Sequence, residues 1–327
     1  MTTAANAMRA PRAVLRGKSI PYFVPALAAV VVMVVLTGAR NPAFYDGGWK
    51  QVLVYASPLI LLAMAQTPVV LAGGGGLDLS IGPAAGLIGV LLVVELIPRG
   101  ISVWWAICVA ALVLGAVAGA VNGALSALIR IPPMIATLST YLVFTGLASQ
   151  ILSSPAGSIP SWFGWFTETG GPLPNAAYVV IAVGLLWAAL CRTAYWRNLR
   201  AVGSNDRAAF TAGVPVAAVR FTAYVLAGLM TGIGAIVLTA VLGGADSTVG
   251  PTYTLQAIAA VALGGVSLAG GRGGLLGAVC GAALLFLIQN YLTLLEVSSF
   301  VLQMIYGIVL IGAVVSNGIW DRRRRTR

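Results

Sequence analysis

The chain has 327 residues, 59% of them hydrophobic and only 8% charged, with a mean hydropathy of +0.97. Soluble domains carry roughly 25% charged residues, so the composition excludes an ordinary soluble domain and indicates an integral membrane protein. Nineteen Lys and Arg stand against eight Asp and Glu, and there is no histidine, which removes the commonest metal ligand and general base.

Residues 1–19 hold Arg9, Arg12, Arg16 and Lys18 and no acid. The apolar run 20–38 that follows is about 28 Å long at 1.5 Å per residue and has no small-residue cleavage site. It reads as an uncleaved first span, because a signal peptide has a shorter apolar core. Further runs lie at 49–72, 81–97, 103–129, 133–152, 176–191, 221–243, 255–269, 274–295 and 300–319. The predicted fold is an all-α integral membrane protein of about ten transmembrane helices, with the eighth run short enough to be broken or re-entrant. Gly228 to Gly234 and Gly277 to Gly281 are rich in small residues, which predicts close helix packing there. Cys108, Cys191 and Cys280 are far apart, with no metal or disulfide spacing, and read as packing residues.

Charge placement sets the orientation. With both termini cytoplasmic, sixteen Lys and Arg fall in inside segments and three (Arg40, Lys50 and Arg99) outside. That bias follows the positive-inside rule. The organisation expected is a basic N-tail over 1–19, a permease domain over 20–319, and a basic C-tail over 320–327. The outer loop 153–175, with Trp162, Trp165 and Phe166, reads as an interfacial aromatic segment.

Ionisable residues avoid the runs. Asp78, Arg130, Asp246, Arg272 and Glu296 fall in loops or at span ends, and Glu95 is near an outer end. An ion-coupled carrier places such groups inside its spans, and a channel presents charged rings or a filter repeat. No catalytic constellation is visible. Gly17-Lys18-Ser19 imitates the tail of a Walker A loop, but Arg12 stands where its first glycine belongs and a span follows directly. The chain lacks an energy source of its own.

Two loops carry local signals. Gly73-Gly74-Gly75-Gly76-Leu77-Asp78-Leu79-Ser80-Ile81-Gly82-Pro83 breaks helix, since each glycine costs about 1 kcal/mol in a helix interior. Asp78 or Ser80 can cap the next span there, with Gly82 and Pro83 in its first turn. Placed on the inside face, the stretch is also a candidate hinge. The long inside segment 192–220 predicts a short helix from about Arg207 to Ala212, capped by Ser204, Asn205 or Asp206 and stopped by Gly213, with Phe210 offered outward or packed on the spans.

Gly75-Gly76-Leu77-Asp78-Leu79-Ser80-Ile81-Gly82 resembles the G-G-I-D-L-S-V-G signature of ribose-type sugar ABC transporter permeases. Three more motifs in the same order are similar: Asn122-Gly123-Ala124-Leu125 with Arg130 to Leu138; Ala201 to Asn205 with Ala208, Ala209 and Gly213; and Tyr253 to Val261 running on to Gly271. The glycine run 73–76 is longer than the family's usual pair. A permease branch for branched-chain amino acids has a similar build.

The resemblance implies a permease subunit of a sugar importer, with no cofactor of its own and no enzymatic activity. ATP and Mg would be bound by a separate cytoplasmic ATPase. A second permease subunit, a solute-binding protein and membrane lipid complete the expected partners, with no nucleic acid. Gly203, Asn205, Asp206, Arg207, Ala208, Ala209 and Gly213 are the implied ATPase-coupling loop, and Gly75, Gly76, Asp78, Ser80 and Gly82 the signature loop. Polar residues within spans are candidates for the translocation path: Asn122, Gln66, Thr137, Thr140, Gln289 and Asn290. Each also has a packing reading, as an interhelical hydrogen-bonding residue. Gly75–Leu79 can be laid on Gly264–Leu268 and Gly82 on Gly271, a short self-similarity that suggests two related halves. The competing functions are a stand-alone secondary carrier or exporter and a membrane scaffold without transport.

Overall fold

A computed structural model describes residues 21–298 and, beyond them, residues 301, 304, 307, 308, 311 and 312. The expected tails 1–19 and 320–327 lie outside the described residues, as does most of the tenth run. The described residues form helices joined by loops and turns, with one isolated antiparallel bridge between Ala156 and Ala245 and no strand.

The apolar runs become helices in order: α1 Val24–Arg40, α2 Gly48–Leu71, α3 Ile81–Val90, α4 Trp104–Gly123, α5 Pro133–Ile151 and α6 Asn175–Leu190. The long basic segment forms α7 Ala194–Ser204 and α8 Asp206–Thr211. Then come α9 Val216–Leu242, α10 Gly250–Leu263 and α11 Leu275–Leu294. Both α3 and α4 continue into π-helical turns, Leu91–Leu96 and Ala124–Leu128.

Five of these are long and apolar enough to cross a membrane: Gly48–Leu71, Trp104–Leu128, Pro133–Ile151, Val216–Leu242 and Leu275–Leu294. A sixth is added if α6 and α7, bent by 84°, count as one broken span. The helices at the first, third and eighth expected runs are shorter than a full crossing. Val24–Arg40 and Ile81–Leu96 are short apolar helices, and α10 has 14 residues, about 21 Å.

The core forms around α2, whose residues from Ala56 to Leu71 are all buried. Against it stands α9, and against α9 packs α4 through glycines one turn apart. A methyl on Gly115 would collide with the Gly228 carbonyl, and one on Gly119 with the Tyr224 carbonyl. Without side chains at these positions the two backbones touch, which is how helices associate where lipid offers no hydrophobic drive. The opposite face of α4 exposes Trp105, Val109, Val113, Val117 and Val121 at four-residue spacing. So long an apolar stripe suits lipid and not water.

The aromatic segment 153–175 is docked on the bundle. Phe163 is fully buried, the Trp162 indole donates to the Ser102 carbonyl at 2.8 Å, and Lys50 donates to the Thr169 and Gly171 carbonyls.

Replacing Gly119 by Ala should push α4 off α9 at a cost of about 1–3 kcal/mol. Thermal unfolding in detergent should fall for Gly119→Ala and hold for Gly146→Ala, where the added methyl meets open space.

Candidate functional site

The glycine run is a tight left-handed turn. Gly73, Gly74 and Gly75 have φ of +66°, +66° and +75°, a conformation in which any side chain is strained. These three glycines therefore fix the turn. Small size matters as much as φ. A Cβ on Gly73 would lie 2.8 Å from the Gly203 carbonyl, and one on Gly203 would strike the Leu71 carbonyl and the Gly271 amide. The Gly271 amide donates to the Leu71 carbonyl at 3.0 Å, and Arg200 Nε donates to the Gly271 carbonyl at 3.3 Å. Three sequence motifs, at 73–82, 201–205 and 264–271, thus meet backbone to backbone at one end of the bundle.

From that junction the chain turns back inside. Asp78 lies in the loop between α2 and α3, as expected, but that loop is folded inward and the residue is only 3% exposed. Gln66, five residues before the end of α2, is beside it, which places the carboxylate about 7–8 Å in from that helix end. The Gln66 amide pairs with both backbone groups of Asp78 at 3.1 Å, in the side-chain orientation that satisfies donor and acceptor together.

The carboxylate takes only neutral donors. Asp78 Oδ1 accepts from the Ser80 amide at 2.9 Å and from Ser80 Oγ at 2.7 Å. Asn122 Nδ2 donates to both carboxylate oxygens at 3.3 and 3.2 Å and to Ser80 Oγ at 2.7 Å. Asn122 Oδ1 in turn accepts from Thr140 Oγ1 at 2.6 Å. Thr137 Oγ1 donates to the Leu77 carbonyl at 3.0 Å, while Thr254 Oγ1 donates to the Leu79 carbonyl and accepts from the Gly82 amide, both at 3.1 Å.

One acidic side chain and the backbone beside it therefore join α2, α3, α4, α5 and α10. The expectation that Ser80 caps α3 with its own oxygen is corrected: that hydroxyl turns to Asp78, and the Asp78 carboxylate caps the Ser80 amide instead.

Of the six polar residues singled out in the sequence, Gln66, Asn122, Thr137 and Thr140 are buried and gathered in this network. Gln289 and Asn290 lie apart from it on α11, partly exposed. Thr254 was missed. It is one of several polar residues at the start of α10, beside Thr252 and Gln256, and nothing local singles it out.

The basic segment stands on the same end as the glycine junction. Asn205, one of three candidate caps, accepts from the Ala208 amide at 3.0 Å and starts α8, and Gly213 ends the turn at φ +82°. The helix before it, α7, has no counterpart in the expected single short helix. It forms because Leu199 and Val202 bury one face.

Arg220 donates to Asp206 at 3.0 Å and holds that carboxyl below the usual carboxylate range. At this half-exposed site the pair is worth under about 1 kcal/mol. Because the folded value is lowered, that contribution is present at neutral pH and fades as pH falls through it. Phe210 is 71% exposed. Beside it opens a cleft of about 1090 Å³ bordered by Gly74, Arg130, Arg207 and Arg220. No cluster of three or more potential metal ligands occurs among the described residues.

Asn122→Leu removes donors from Asp78 and Ser80 and the acceptor of Thr140, and should cost about 3 kcal/mol, with Thr140→Val costing about 1 kcal/mol. Thermal unfolding of the two variants in detergent reads the difference.

The geometry has matching relatives. The family model described as "Branched-chain amino acid transport system / permease component" matches residues 49–314. The ribose import permease protein RbsC of Bacillus subtilis is 35% identical over 299 residues, which is 87% of this chain and 89% of that protein. The autoinducer 2 import system permease protein LsrC of Salmonella choleraesuis is 36% identical, covering 90% of this chain and 84% of that protein. LsrC of Escherichia coli K12 is 35% identical, covering 90% and 86%. No solved structure matches. With most of its length matched by the family model and by full-length permeases, this chain belongs to that permease-component family and is the membrane-embedded permease of an ABC importer.

Proposed function

We propose that the chain forms the translocation path for an uncharged sugar or sugar-like solute in a bacterial-type inner membrane, driven by a separate ATPase. The observation that carries the ATPase reading is the α7–α8 pair. A capped helix stands at the basic end of the bundle with Phe210 and Arg207 exposed, on a segment packed against the glycine junction. Docking there would move Gly203, and with it Leu71 and Gly271. ATP and Mg bind in the ATPase, and this chain supplies no cofactor site.

The sugar assignment rests on relatives named for ribose and autoinducer 2 import, and on the Leu77-Asp78-Leu79-Ser80 element. The family description names branched-chain amino acids, so leucine belongs in any substrate panel. The full complex would include a second permease subunit and a solute-binding protein at the end opposite α7. In this reading ten spans place both termini in the cytoplasm, with sixteen of nineteen Lys and Arg on that side. The Asp78 network holds helices together and does not carry ions, since the bonds of Asp78, Asn122 and Ser80 are made within it.

The test is uptake into proteoliposomes holding the permease, its ATPase and its binding protein, with labelled ribose, other neutral monosaccharides and leucine. ATP-dependent uptake of a neutral sugar is expected. Uptake that continues without ATP and collapses with an ion gradient would show a secondary carrier instead. Phe210→Ala and Arg207→Asp should each reduce ATPase co-purification about tenfold or more, while leaving membrane insertion unchanged. Arg207 is the cleaner charge to reverse, because Asp206 already serves Arg220.

A further inference from the structure

The start of α10 lies against the start of α3. A methyl on Gly82 would strike the Gly250 carbonyl, and one on Gly250 would lie 2.8 Å from Pro83 N. The loop after α10 returns to the α7 end, where Gly270 and Gly271 pack on Gly73 and Gly203. Since α10 has 14 residues and ends near that junction, its first turn lies about 21 Å in. That depth is well inside a hydrocarbon core about 30 Å thick. Two helices therefore begin in the interior, and their first-turn N–H groups have no partners within their own helices.

Beside these two starts is a cavity of about 550 Å³, a volume in the ordinary range for small-ligand sites. Its lining includes Leu79 from the signature loop, Tyr141 from α5, and Thr252, Thr254 and Gln256 from α10. Gln256 is only 8% exposed, its amide makes no hydrogen bond with another described residue, and neither amide atom is among the fully sealed unpartnered ones. The amide thus keeps a small accessible surface at the cavity, where water or a ligand meets it. No charged side chain lines the cavity among the described residues. The lining is mostly apolar, with Leu138, Leu255 and Leu285, and adds the Gln256 amide, the Thr252 hydroxyl and the Tyr141 ring, which suits an uncharged ligand with both hydroxyls and an apolar carbon face.

We infer that this cavity is a contact station for a neutral polyhydroxylated solute, with Gln256 as its principal polar contact and Tyr141 as an apolar wall. The inference deepens the import reading and rests on it. It also separates two roles that the sequence merges. Asn122, Gln66, Thr137 and Thr140 hold the frame, while Gln256 faces the solute. The two are adjacent: Leu79 lines the cavity while its carbonyl accepts from Thr254. A shift at the glycine junction is thus passed along the signature loop to the cavity wall.

The experiment uses the assembled transporter with Cys108, Cys191 and Cys280 replaced by Ala. Gln256→Cys is exposed to a membrane-impermeant methanethiosulfonate, with Val113→Cys on the apolar outer face of α4 as the control. Gln256→Cys should react at least about tenfold faster than the control, and the transported sugar should slow that reaction. Gln256→Leu should keep its folded yield and thermal stability, because no internal bond is lost, while sugar uptake at low concentration falls about tenfold.

Labelling no faster than at position 113 in any nucleotide state overturns the inference. So does labelling that sugar does not slow, accompanied by normal uptake in Gln256→Leu. Absence of ATP-driven uptake in the wild-type complex would instead defeat the import reading, and the labelling rates would still decide whether the cavity is open to water.

Discussion

A carboxylate buried without a cation must collect neutral donors, and Asp78 collects them from its own loop and from α4. Replacing one of those donors leaves a charge in a medium that solvates it poorly. The requirement reaches well beyond the residue. It fixes the re-entry of the chain after the glycine turn, the rotation of α4 that points Asn122 inward, and the placing of α5 through Thr140. The backbone on either side of Asp78 extends the same hold to α2 through Gln66 and to α10 through Thr254. In a bilayer, where apolar contacts between helices are little better than contacts with lipid, such bonds and the glycine contacts of α4 with α9 supply the specificity of packing.

The glycine junction and the buried network divide the work. At the junction, Gly73, Gly203 and Gly271 allow three chain segments to touch, so motion of α7 is felt directly by the ends of α2 and of the loop after α10. Within the bundle, the network ties five helices together around Asp78. Two short interior helices, α3 and α10, start where that network ends. The arrangement suits a permease that is moved by another subunit and does not titrate a group of its own.

Much of this was legible in the sequence, and the exceptions have physical reasons. Apolar length alone located nine helices, and Asn205 with Gly213 marked α8, because capping and left-handed stops are local. The four glycines correctly signalled a break, yet nothing local says that the chain after a break re-enters the bundle. Asp78 is the loop residue it read as, but its burial was not legible. Helix α10 begins at Gly250, five residues before the expected 255, because the polar start Pro251-Thr252-Tyr253-Thr254 reads as loop until its partners in the signature loop are known. Four of the six polar residues expected along the path came together, though as partners of one another. Gln256, whose amide has no such partner, looked unremarkable in sequence.

The account stands or falls on whether Asp78 and Asn122 act as one unit. A double-mutant cycle of Asp78→Asn and Asn122→Ala, read by reversible thermal unfolding in detergent, measures that directly. A coupling energy of about 2 kcal/mol is predicted, with the second substitution costing far less once the first is made. Additivity within about 0.5 kcal/mol would contradict it.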